Sequence, residues 1–409
     1  MKSHSSNGFR RAALLTAEAV GLICLSACRG SDSGDNPAQA YAYVTSADVQ
    51  GQQVPGSVYQ FAIGSDGSLT PMEVASVASG ITPTAIVSDP TGHYVYVANN
   101  GDGTISQYAI GAGGQLRALS PATVSVAGDF SGVMRYSLSV DPQGRFLYLV
   151  MSSQDSSAPG AAIAQYSIGS GDGTLTPLDT SLVTVPAYAG PLVFDRNGHA
   201  YLGQVVEARV GLVSQFSVGT DGSLSPLKPA TVSATGAAVG IEIAEGGQIA
   251  YVLSRCVYQA CDHQGVELYT VGTDGTLAPT GVATLSGPYV NPIALLVNDS
   301  TSSAYLLTNY MGVDTNTGAV YQYAVDISGT LVPETPASLN VASGAVAESL
   351  DANNLYALSA NDLGRASGGP FPGGHVDHYA IGTDGRLTAM STTEVEGGRP
   401  TAMTLVLRH

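Results

Sequence analysis

The chain has 409 residues, a formal net charge of −17 at neutral pH and only 11% charged residues. This negative charge disfavours nucleic acid as a partner, because phosphate backbones are bound by basic surfaces. The 50 glycines among many aliphatic residues are typical of short strands joined by tight turns, and not of a disordered chain. The composition therefore predicts a folded, β-rich protein.

Residues 1–28 have the pattern of an export signal. Three basic residues precede an apolar stretch, residues 12–25, that is too short to cross a bilayer. The stretch ends in Leu-Ser-Ala-Cys at Cys28, which resembles the lipobox of bacterial lipoproteins, whose cysteine carries the lipid. The resemblance implies a protein anchored at Cys28 in the bacterial cell envelope, at the outer membrane facing the periplasm or the cell surface. Ordinary secretion after cleavage nearby is the alternative.

A polar segment, residues 29–40, follows the cysteine and is rich in Gly, Ser and Asp, as expected for a flexible tether. No later stretch is long and apolar enough to predict a transmembrane helix. We therefore expect residues 41–409 to form one large folded unit.

Seven segments of similar sequence follow one another in this unit. Each has a strand with an aromatic residue near its end, a turn containing glycine, and a second strand that opens with leucine. The aligned aromatic residues are Phe61, Tyr108, Tyr166, Phe216, Tyr269, Tyr323 and Tyr379. Another hairpin precedes each segment, as in residues 83–99, where Asp-Pro-Thr-Gly separates two apolar strands. The repeats predict an all-β, seven-bladed propeller of four-stranded antiparallel blades.

The two ends of the repeat region complement each other. Residues 398–409 match only the first strand of a blade, and residues 41–46 match the second strand seen at residues 94–99. The N-terminal strand is therefore expected to pair with the C-terminal strand, which closes the ring and removes exposed sheet edges at that point.

The Tyr-Val-Tyr-Val-Ala-Asn and Tyr-Ala-Ile-Gly repeats resemble the lactonase-type seven-bladed propellers, which include 6-phosphogluconolactonase-like and Tyr-Val-x-Asn repeat proteins. The resemblance implies a hydrolase of sugar lactones or simple lactones. Such enzymes open one inner strand with His-Pro-His and the next with Gly-Pro-Arg-His. The corresponding positions here are 134–136, with Met-Arg-Tyr, and 188–191, with Tyr-Ala-Gly-Pro. The histidines for proton transfer are therefore not retained, and Arg135 is left as an anion contact.

Loop length distinguishes the two faces of the predicted disc. The turns between first and second strands and between third and fourth strands are short, whereas the other connections are long. Because long loops on a rigid scaffold carry most binding residues, we place a site at that face. Its candidate ligand-binding residues are Arg135, Tyr136, Glu207, Arg209, Arg255, Asp262, His263, Tyr310, Asp314, Asp362 and Arg365. Each of them is also compatible with a solvated loop position.

Two carboxylates fall in inner strands. Alignment through the turns puts Glu242 and Glu348 at a position that is apolar in other blades, for example Ile86 and Leu138. A desolvated carboxylate there would suit an acid–base role or calcium binding. The alternative is that the turn length differs in these blades, so that both side chains point elsewhere.

Only two cysteines follow the signal segment, Cys256 and Cys261. In an oxidising compartment they are expected to form a disulfide. A zinc site with Asp262 and His263 is the alternative, although the stretch lacks the usual ligand spacing. His375 and His378 lie three apart in a strand and should face opposite sides.

Two functional hypotheses follow from these residues. The first is a cell-envelope propeller that binds a small molecule or a protein on the long-loop face, without the catalytic motifs of the family. The second is a divergent lactonase that uses Arg135 with Glu242 or Glu348. Neither needs a cofactor, and a calcium-dependent version of the same site is a third interpretation. Beyond a membrane contact through Cys28, the sequence identifies no partner.

Overall fold

The structure is a computed structural model and describes residues 40–47, 54–126, 135–152, 161–185, 188–207, 210–244, 246–255, 265–284, 290–310, 318–341, 345–351, 353–360 and 373–407. The chain divides into two units, Met1–Pro37 and Ala38–His409, and every described residue belongs to the second. The predicted export signal and the tether before Ala40 lie outside the described residues.

The described residues form 28 strands in seven four-stranded antiparallel sheets and contain no helix. From the inner to the outer strand, blade 1 is β28 (Arg399–Leu407), β1 (Ala40–Ala47), β2 (Pro55–Ile63) and β3 (Leu69–Ile81); blade 2 is β4 (Pro83–Ser88), β5 (Tyr94–Asn99), β6 (Thr104–Ile110) and β7 (Leu116–Ser125); blade 3 is β8 (Arg135–Val140), β9 (Phe146–Ser152), β10 (Ala161–Ile168) and β11 (Leu175–Val185); blade 4 is β12 (Tyr188–Phe194), β13 (His199–Glu207), β14 (Val210–Val218) and β15 (Leu224–Ala234); blade 5 is β16 (Ala237–Ile243), β17 (Ile249–Arg255), β18 (Gly265–Val271) and β19 (Leu277–Thr284); blade 6 is β20 (Val290–Asn298), β21 (Ser303–Tyr310), β22 (Gly318–Val325) and β23 (Leu331–Val341); and blade 7 is β24 (Ala345–Leu350), β25 (Asn354–Ala360), β26 (Gly374–Ile381) and β27 (Leu387–Val395).

Blade 1 closes the ring as the sequence predicts. β1 pairs antiparallel with β28, so that Val44 lies opposite Met403, and its other edge pairs with β2. The inner strand of each blade contacts the inner strands of the two neighbouring blades. The seven inner strands therefore surround the central axis, and the predicted seven-bladed architecture is confirmed.

The core consists of seven apolar clusters, which pack blade faces against one another, and every cluster member lies between residues 40 and 407. All seven clusters thus belong to the Ala38–His409 unit. The second strand of every blade contributes one fully buried tyrosine to this core: Tyr43, Tyr96, Tyr148, Tyr201, Tyr251, Tyr305 and Tyr356. Burying so many large side chains supplies much of the hydrophobic stabilisation.

Each of these seven tyrosines also satisfies its hydroxyl group in the same way. The hydroxyl donates to the carbonyl of the turn glycine in the next blade, as Tyr251 does to Gly329 at 2.8 Å. The same bond joins Tyr43 to Gly114, Tyr96 to Gly173, Tyr148 to Gly222, Tyr201 to Gly275, Tyr305 to Gly385 and Tyr356 to Gly67. A buried donor left without an acceptor would be costly, so the repeat sequence ties every blade to its neighbour.

A second polar contact between blades comes from a glutamine in the third strand. Gln322 donates from Nε2 to the Pro336 carbonyl of its own outer strand at 3.1 Å, and its Oε1 accepts the Leu387 amide of the next blade at 2.7 Å. Five blades share this arrangement: Gln60, Gln107, Gln165, Gln215 and Gln322. Leu268 and His378 take its place in blades 5 and 7, opposite Tyr251 and Tyr356.

The short turns all lie at one end of the disc, which we call the short-turn end, and the remaining connections lie at the long-loop end. Aspartates organise the short turns. Asp89 accepts the amides of His93 and Tyr94 at 2.8 and 2.6 Å. Asp221 accepts the hydroxyl and amide of Ser223, and these hydrogen bonds hold the pKa of Asp221 below its ordinary value. Short polar side chains therefore fix the hairpins that the sequence pattern predicted.

Candidate functional site

Three arginines lie at one level at the long-loop end. Arg135 is opposite Ser152, Arg399 is opposite Ala47, and Arg255 is opposite Ala237. The second-strand residues of these pairs are Ser152, Ala47 and Arg255. Each comes four residues after the buried tyrosine of its blade, which is Tyr148, Tyr43 or Tyr251 respectively. Because the blades are equivalent by repetition, this common position puts the three basic residues at the same height around the axis.

Arg135 begins the inner strand of blade 3 and is exposed. Its guanidinium carbon lies 5.9 Å from the ring centroid of Tyr188, which begins the inner strand of blade 4. A cation over an aromatic face at this distance is attracted to the ring by about 0.5–1 kcal/mol at an exposed site. The stacking restrains the arginine while its N–H groups stay accessible.

Tyr136 follows Arg135 and is 5% exposed. Its burial raises the pKa of the phenol, and the negative charge of Asp102 adds to the effect. Tyr136 therefore stays a neutral hydroxyl over the ordinary pH range and adds no charge beside Arg135.

Arg255 ends the second strand of blade 5 and is half-buried. Its Nε is buried, and no hydrogen-bond partner for it lies among the described residues. A buried guanidinium donor is normally paired, because leaving it unsatisfied is costly. Arg255 thus offers a donor that a bound anion can satisfy.

The opposite end of the disc carries acidic residues. The short turns hold Asp66, Asp89, Asp141, Asp172, Asp195, Asp221, Asp274, Asp299, Asp326, Asp351 and Asp384. These eleven aspartates are therefore remote from Arg135, Arg255 and Arg399, although Asp102 and Glu207 lie at the long-loop end. The separation makes the long-loop end the better place to attract an anion.

The predicted register of Glu242 is wrong by one residue. Ile241 lies opposite Val252, at the position of Ile86 in blade 2, whereas Glu242 lies opposite Tyr251 and is half-buried. The first turn residue of blade 5 is Ala244, whose amide bonds the Ile249 carbonyl as the Asp89 amide bonds the Tyr94 carbonyl. In the sequence, the acidic residue of this turn comes one position later than in blade 2, which accounts for the shift of one residue.

Glu348 does lie at the predicted position, opposite Ala357, where Leu138 lies opposite Leu149 in blade 3. Two further candidates end or interrupt strands at the long-loop end: Glu207 pairs with Val210, and Tyr310 pairs with Val290. The remaining predicted residues lie outside the described residues: Cys28, Arg209, Cys256, Cys261, Asp262, His263, Asp314, Asp362 and Arg365.

The sequence analysis missed two buried acidic groups and the basic Arg399. Glu267 accepts the Thr235 amide at 2.9 and 3.0 Å and the Tyr269 hydroxyl at 3.0 Å, which holds the link between blades 4 and 5. Asp377 occupies the equivalent strand position in blade 7. Alignment of all seven third strands would have shown both carboxylates at a position that is uncharged in other blades.

The two histidines of blade 7 face opposite sides of β26, as predicted. His375 Nε2 lies 3.4 Å from Asp377 Oδ2, and this carboxylate raises the pKa of His375. His378 instead bonds Asn354 at 2.8 Å and stacks on Tyr356 with a centroid distance of 5.0 Å. Within the described part of the chain, no group of three or more His, Cys, Asp or Glu side chains is arranged to hold a metal ion. No helix long and apolar enough to cross a membrane occurs in that same part.

Comparison with known proteins agrees with this architecture. Solved structures with the same fold include a Bacteroides fragilis protein provisionally assigned as a 6-phosphogluconolactonase, with a TM-score of 0.66 and 13% identity over 92% of this chain and 100% of that one. They also include the Pseudomonas aeruginosa periplasmic gluconolactonase, with a TM-score of 0.66 and 16% identity over 90% of this chain and 100% of that one. At such identities the likeness concerns the fold alone.

Among curated proteins, none matches the sequence significantly. A family model does match, and its description is a lactonase with a seven-bladed β-propeller; the match covers residues 36–289, more than half of the chain. The chain therefore belongs to the lactonase family of seven-bladed β-propellers.

Proposed function

We propose that the protein is an exported propeller that binds an anionic small molecule, a sugar acid or related carboxylate, at the long-loop end of its central axis. The observation that carries this proposal is the common level of Arg135, Arg255 and Arg399 in a chain whose net charge is negative. Basic residues are scarce in this sequence, with 15 Lys and Arg in 409 residues. Three of them at one level make an anion the ligand class that fits best.

Arginine chemistry supports this ligand class. The guanidinium group is planar, stays charged and presents paired N–H donors that match the two oxygens of a carboxylate or phosphate. Arg135 is restrained over Tyr188, so it loses less side-chain freedom on binding than a free arginine would. Arg255 supplies a buried Nε that has no partner among the described residues.

Equilibrium dialysis of the Ala38–His409 unit tests the proposal with gluconate, 6-phosphogluconate and neutral glucose as probes. We expect both anions to bind, glucose to bind far more weakly, and added salt to weaken the anions, because charge attraction is screened. Equal binding of glucose and gluconate, or no binding of either anion, would contradict the proposal.

Lactone hydrolysis is a second candidate function, and family membership favours it. In this reaction water adds to the lactone carbonyl and loses a proton to a general base, the ring C–O bond breaks, and the leaving alkoxide takes up a proton. The product is a hydroxy acid, whose carboxylate is the kind of anion that the three arginines would hold. Glu348, on an inner strand at a position that is apolar in blade 3, is the residue proposed as the base.

A panel of sugar and simple lactones separates the two candidates. Turnover above the spontaneous rate that is lost in Glu348→Gln, with an unchanged melting temperature, supports hydrolysis. A flat result across the panel, together with anion binding, leaves the binding function. The same assay with added calcium and with a chelator tests the calcium-dependent version of the site.

The proposed location is the cell envelope, with the chain anchored through lipidated Cys28. The lipobox-like sequence before that residue and the polar segment after it support this location. Cys28→Ser should move the expressed protein from the membrane fraction to the soluble fraction. A membrane-bound Cys28→Ser variant would show that another feature of the chain holds it there.

A further inference from the structure

Among the described residues, no strand pairs with the outer side of the outer strand of any blade, and six of the seven outer strands contain proline. The prolines are Pro71 in β3, Pro121 in β7, Pro177 in β11, Pro226 and Pro229 in β15, Pro279 in β19, and Pro333 and Pro336 in β23. Proline is a common device that prevents edge-to-edge association, because it cannot donate a backbone hydrogen bond. β27 of blade 7 contains no proline.

Five of these prolines occupy the same position, opposite the aromatic residue of the third strand, where blade 7 has Ala389 opposite Tyr379. The Leu387 amide points away from β26, because it donates to Gln322 of blade 6. N–H groups two residues apart in a strand point the same way, so the Ala389 amide also points out of the sheet. A proline at this position removes an outward donor, and Ala389 keeps it.

The second protecting device is a wide bulge. In blade 1, Phe61 pairs with Pro71 and Tyr59 pairs with Ser76. An advance of two residues along β2 therefore corresponds to five residues along β3, and the additional residues of β3 form the bulge. The same step occurs in the five blades that have the glutamine, whose Nε2 bonds a carbonyl inside the bulge. Such a bulge breaks the regular row of edge groups.

Blade 7 has only a narrow, one-residue bulge in place of this wide one. There Tyr379 pairs with Ala389 and His378 pairs with Ser391, so an advance of one residue along β26 corresponds to two residues along β27. Blade 5, where Leu268 replaces the glutamine, has the same narrow step, but its edge retains Pro279. Blade 7 is thus the one blade whose described outer strand has neither a proline nor a wide bulge.

We propose that β27 is an interaction edge that pairs antiparallel with β27 of a second copy of this chain. Thr388, Ala389 and Met390 are exposed, and Met390 is 54% exposed. Residues 388–393, Thr-Ala-Met-Ser-Thr-Thr, carry no charge, so two copies can approach here in spite of the net charge of −17. The pairing would join two four-stranded blades into one continuous sheet.

Charge favours a second copy over an unrelated strand. In a two-fold antiparallel pair centred on Met390, the residue four positions before it lies opposite the residue four positions after it in the other copy. These residues are Arg386 and Glu394, and their attraction occurs twice. The Arg386 side chain is 51% exposed. Its Nε and Nη2 donate to Glu334 at 3.2 and 3.1 Å, and its Nη1 lies 3.7 Å from Asp384, so Glu394 of the second copy would share the guanidinium with these carboxylates.

Sedimentation equilibrium of the Ala38–His409 unit tests the proposal. We expect a reversible dimer that Ala389→Pro abolishes, since this substitution installs the proline that five other blades have at the same position. Ala118→Pro is the matched control, because it makes the same change in β7, an edge that already has a proline and a wide bulge. It should leave the dimer intact.

Charge reversal gives a second test that does not depend on the fold tolerating proline. Arg386→Glu and Glu394→Arg should each raise the dimer dissociation constant roughly tenfold, because each puts like charges opposite one another twice, and the double variant should restore dimerisation. A wild-type monomer throughout the accessible concentration range overturns the proposal. So does a dimer that is unaffected by both Ala389→Pro and the single charge reversals.

Discussion

The Tyr356 hydroxyl donates a hydrogen bond of 2.8 Å to the Gly67 carbonyl, which lies 289 positions earlier in the chain and belongs to blade 1. This contact joins the last complete blade to the composite blade that closes the ring. It is one of the seven equivalent bonds between buried tyrosines and turn glycines, so ring closure uses the same chemistry as every other blade junction.

Tyr356→Phe removes this bond and leaves the Gly67 carbonyl without its donor. We expect a loss of about 1–2 kcal/mol in the free energy of unfolding, measured by denaturant titration. Tyr321→Phe is the control, because Tyr321 is only half-buried and is not one of the seven tyrosines that bond a turn glycine. Equal effects of the two substitutions would show that the hydroxyl of Tyr356 contributes little.

The turn glycines are the second half of the same junction. Gly222 has a φ of +85°, and a Cβ atom there would lie 2.3 Å from the Phe146 ring of the preceding blade. Gly222→Ala should therefore lower the free energy of unfolding by at least about 1–3 kcal/mol, from backbone strain together with the clash. Gly281→Ala, at an extended position with open space around the added carbon, should have a far smaller effect in the same titration. A mild Gly222→Ala variant would mean that blade 3 moves aside easily.

Blade 7 should give the protein a pH-dependent stability. The Asp377 carboxylate raises the pKa of His375, and burial opposes this effect only in part. Because the pKa is higher in the folded state, protonated His375 stabilises the fold fully below about pH 6.5, the ordinary value for histidine, and the contribution disappears as the pH rises through the folded-state pKa.

As the pH rises from about 6 to about 8, we therefore expect the denaturant concentration at the unfolding midpoint to decrease more in the wild type than in His375→Gln. His378 is present in both proteins, so its own titration cancels in the comparison. Parallel pH profiles would indicate that His375 does not gain protons on folding.

The predicted disulfide between Cys256 and Cys261 stays a prediction, since both residues lie outside the described residues. Alkylation and mass measurement of the exported protein should detect no free thiol at either position. Because the loop between them is short, Cys256→Ser with Cys261→Ser should destabilise the fold by only about 2–3 kcal/mol. Two alkylated thiols in the exported protein would exclude the bond.

The sequence predicted the fold well because the same strand and turn chemistry is repeated in every blade. The aromatic residue that ends the third strand and the aspartate or glycine in the turn recur at fixed spacing, and they act locally. The closure by β1 and β28 followed from counting strands at the two ends. Local patterns of this kind need no knowledge of which blades are neighbours.

The site was harder to predict because it depends on register and on contacts between blades. One turn that opens with Ala244 instead of aspartate was enough to displace Glu242 from its predicted position. Arg399 went unnoticed because it lies in the C-terminal strand, far in sequence from Arg135, and only the closed ring brings the two to one level. The pairing of His375 with Asp377 also depends on the side-chain conformations on one face of β26, which the strand pattern alone does not give.

The measurement that tests the central claim most directly is a calorimetric titration of the Ala38–His409 unit with gluconate, in the wild type and three variants. Arg135→Ala and Arg255→Ala should each weaken binding by about tenfold or more, as expected for the loss of a charge-assisted contact. Arg145→Ala is the matched control, because Arg145 also lies over an aromatic ring, 5.1 Å from Phe146, but at the short-turn end. Unchanged affinity in Arg145→Ala together with loss in the other two would support an anion site at the long-loop end; equal affinity in all four proteins would contradict it.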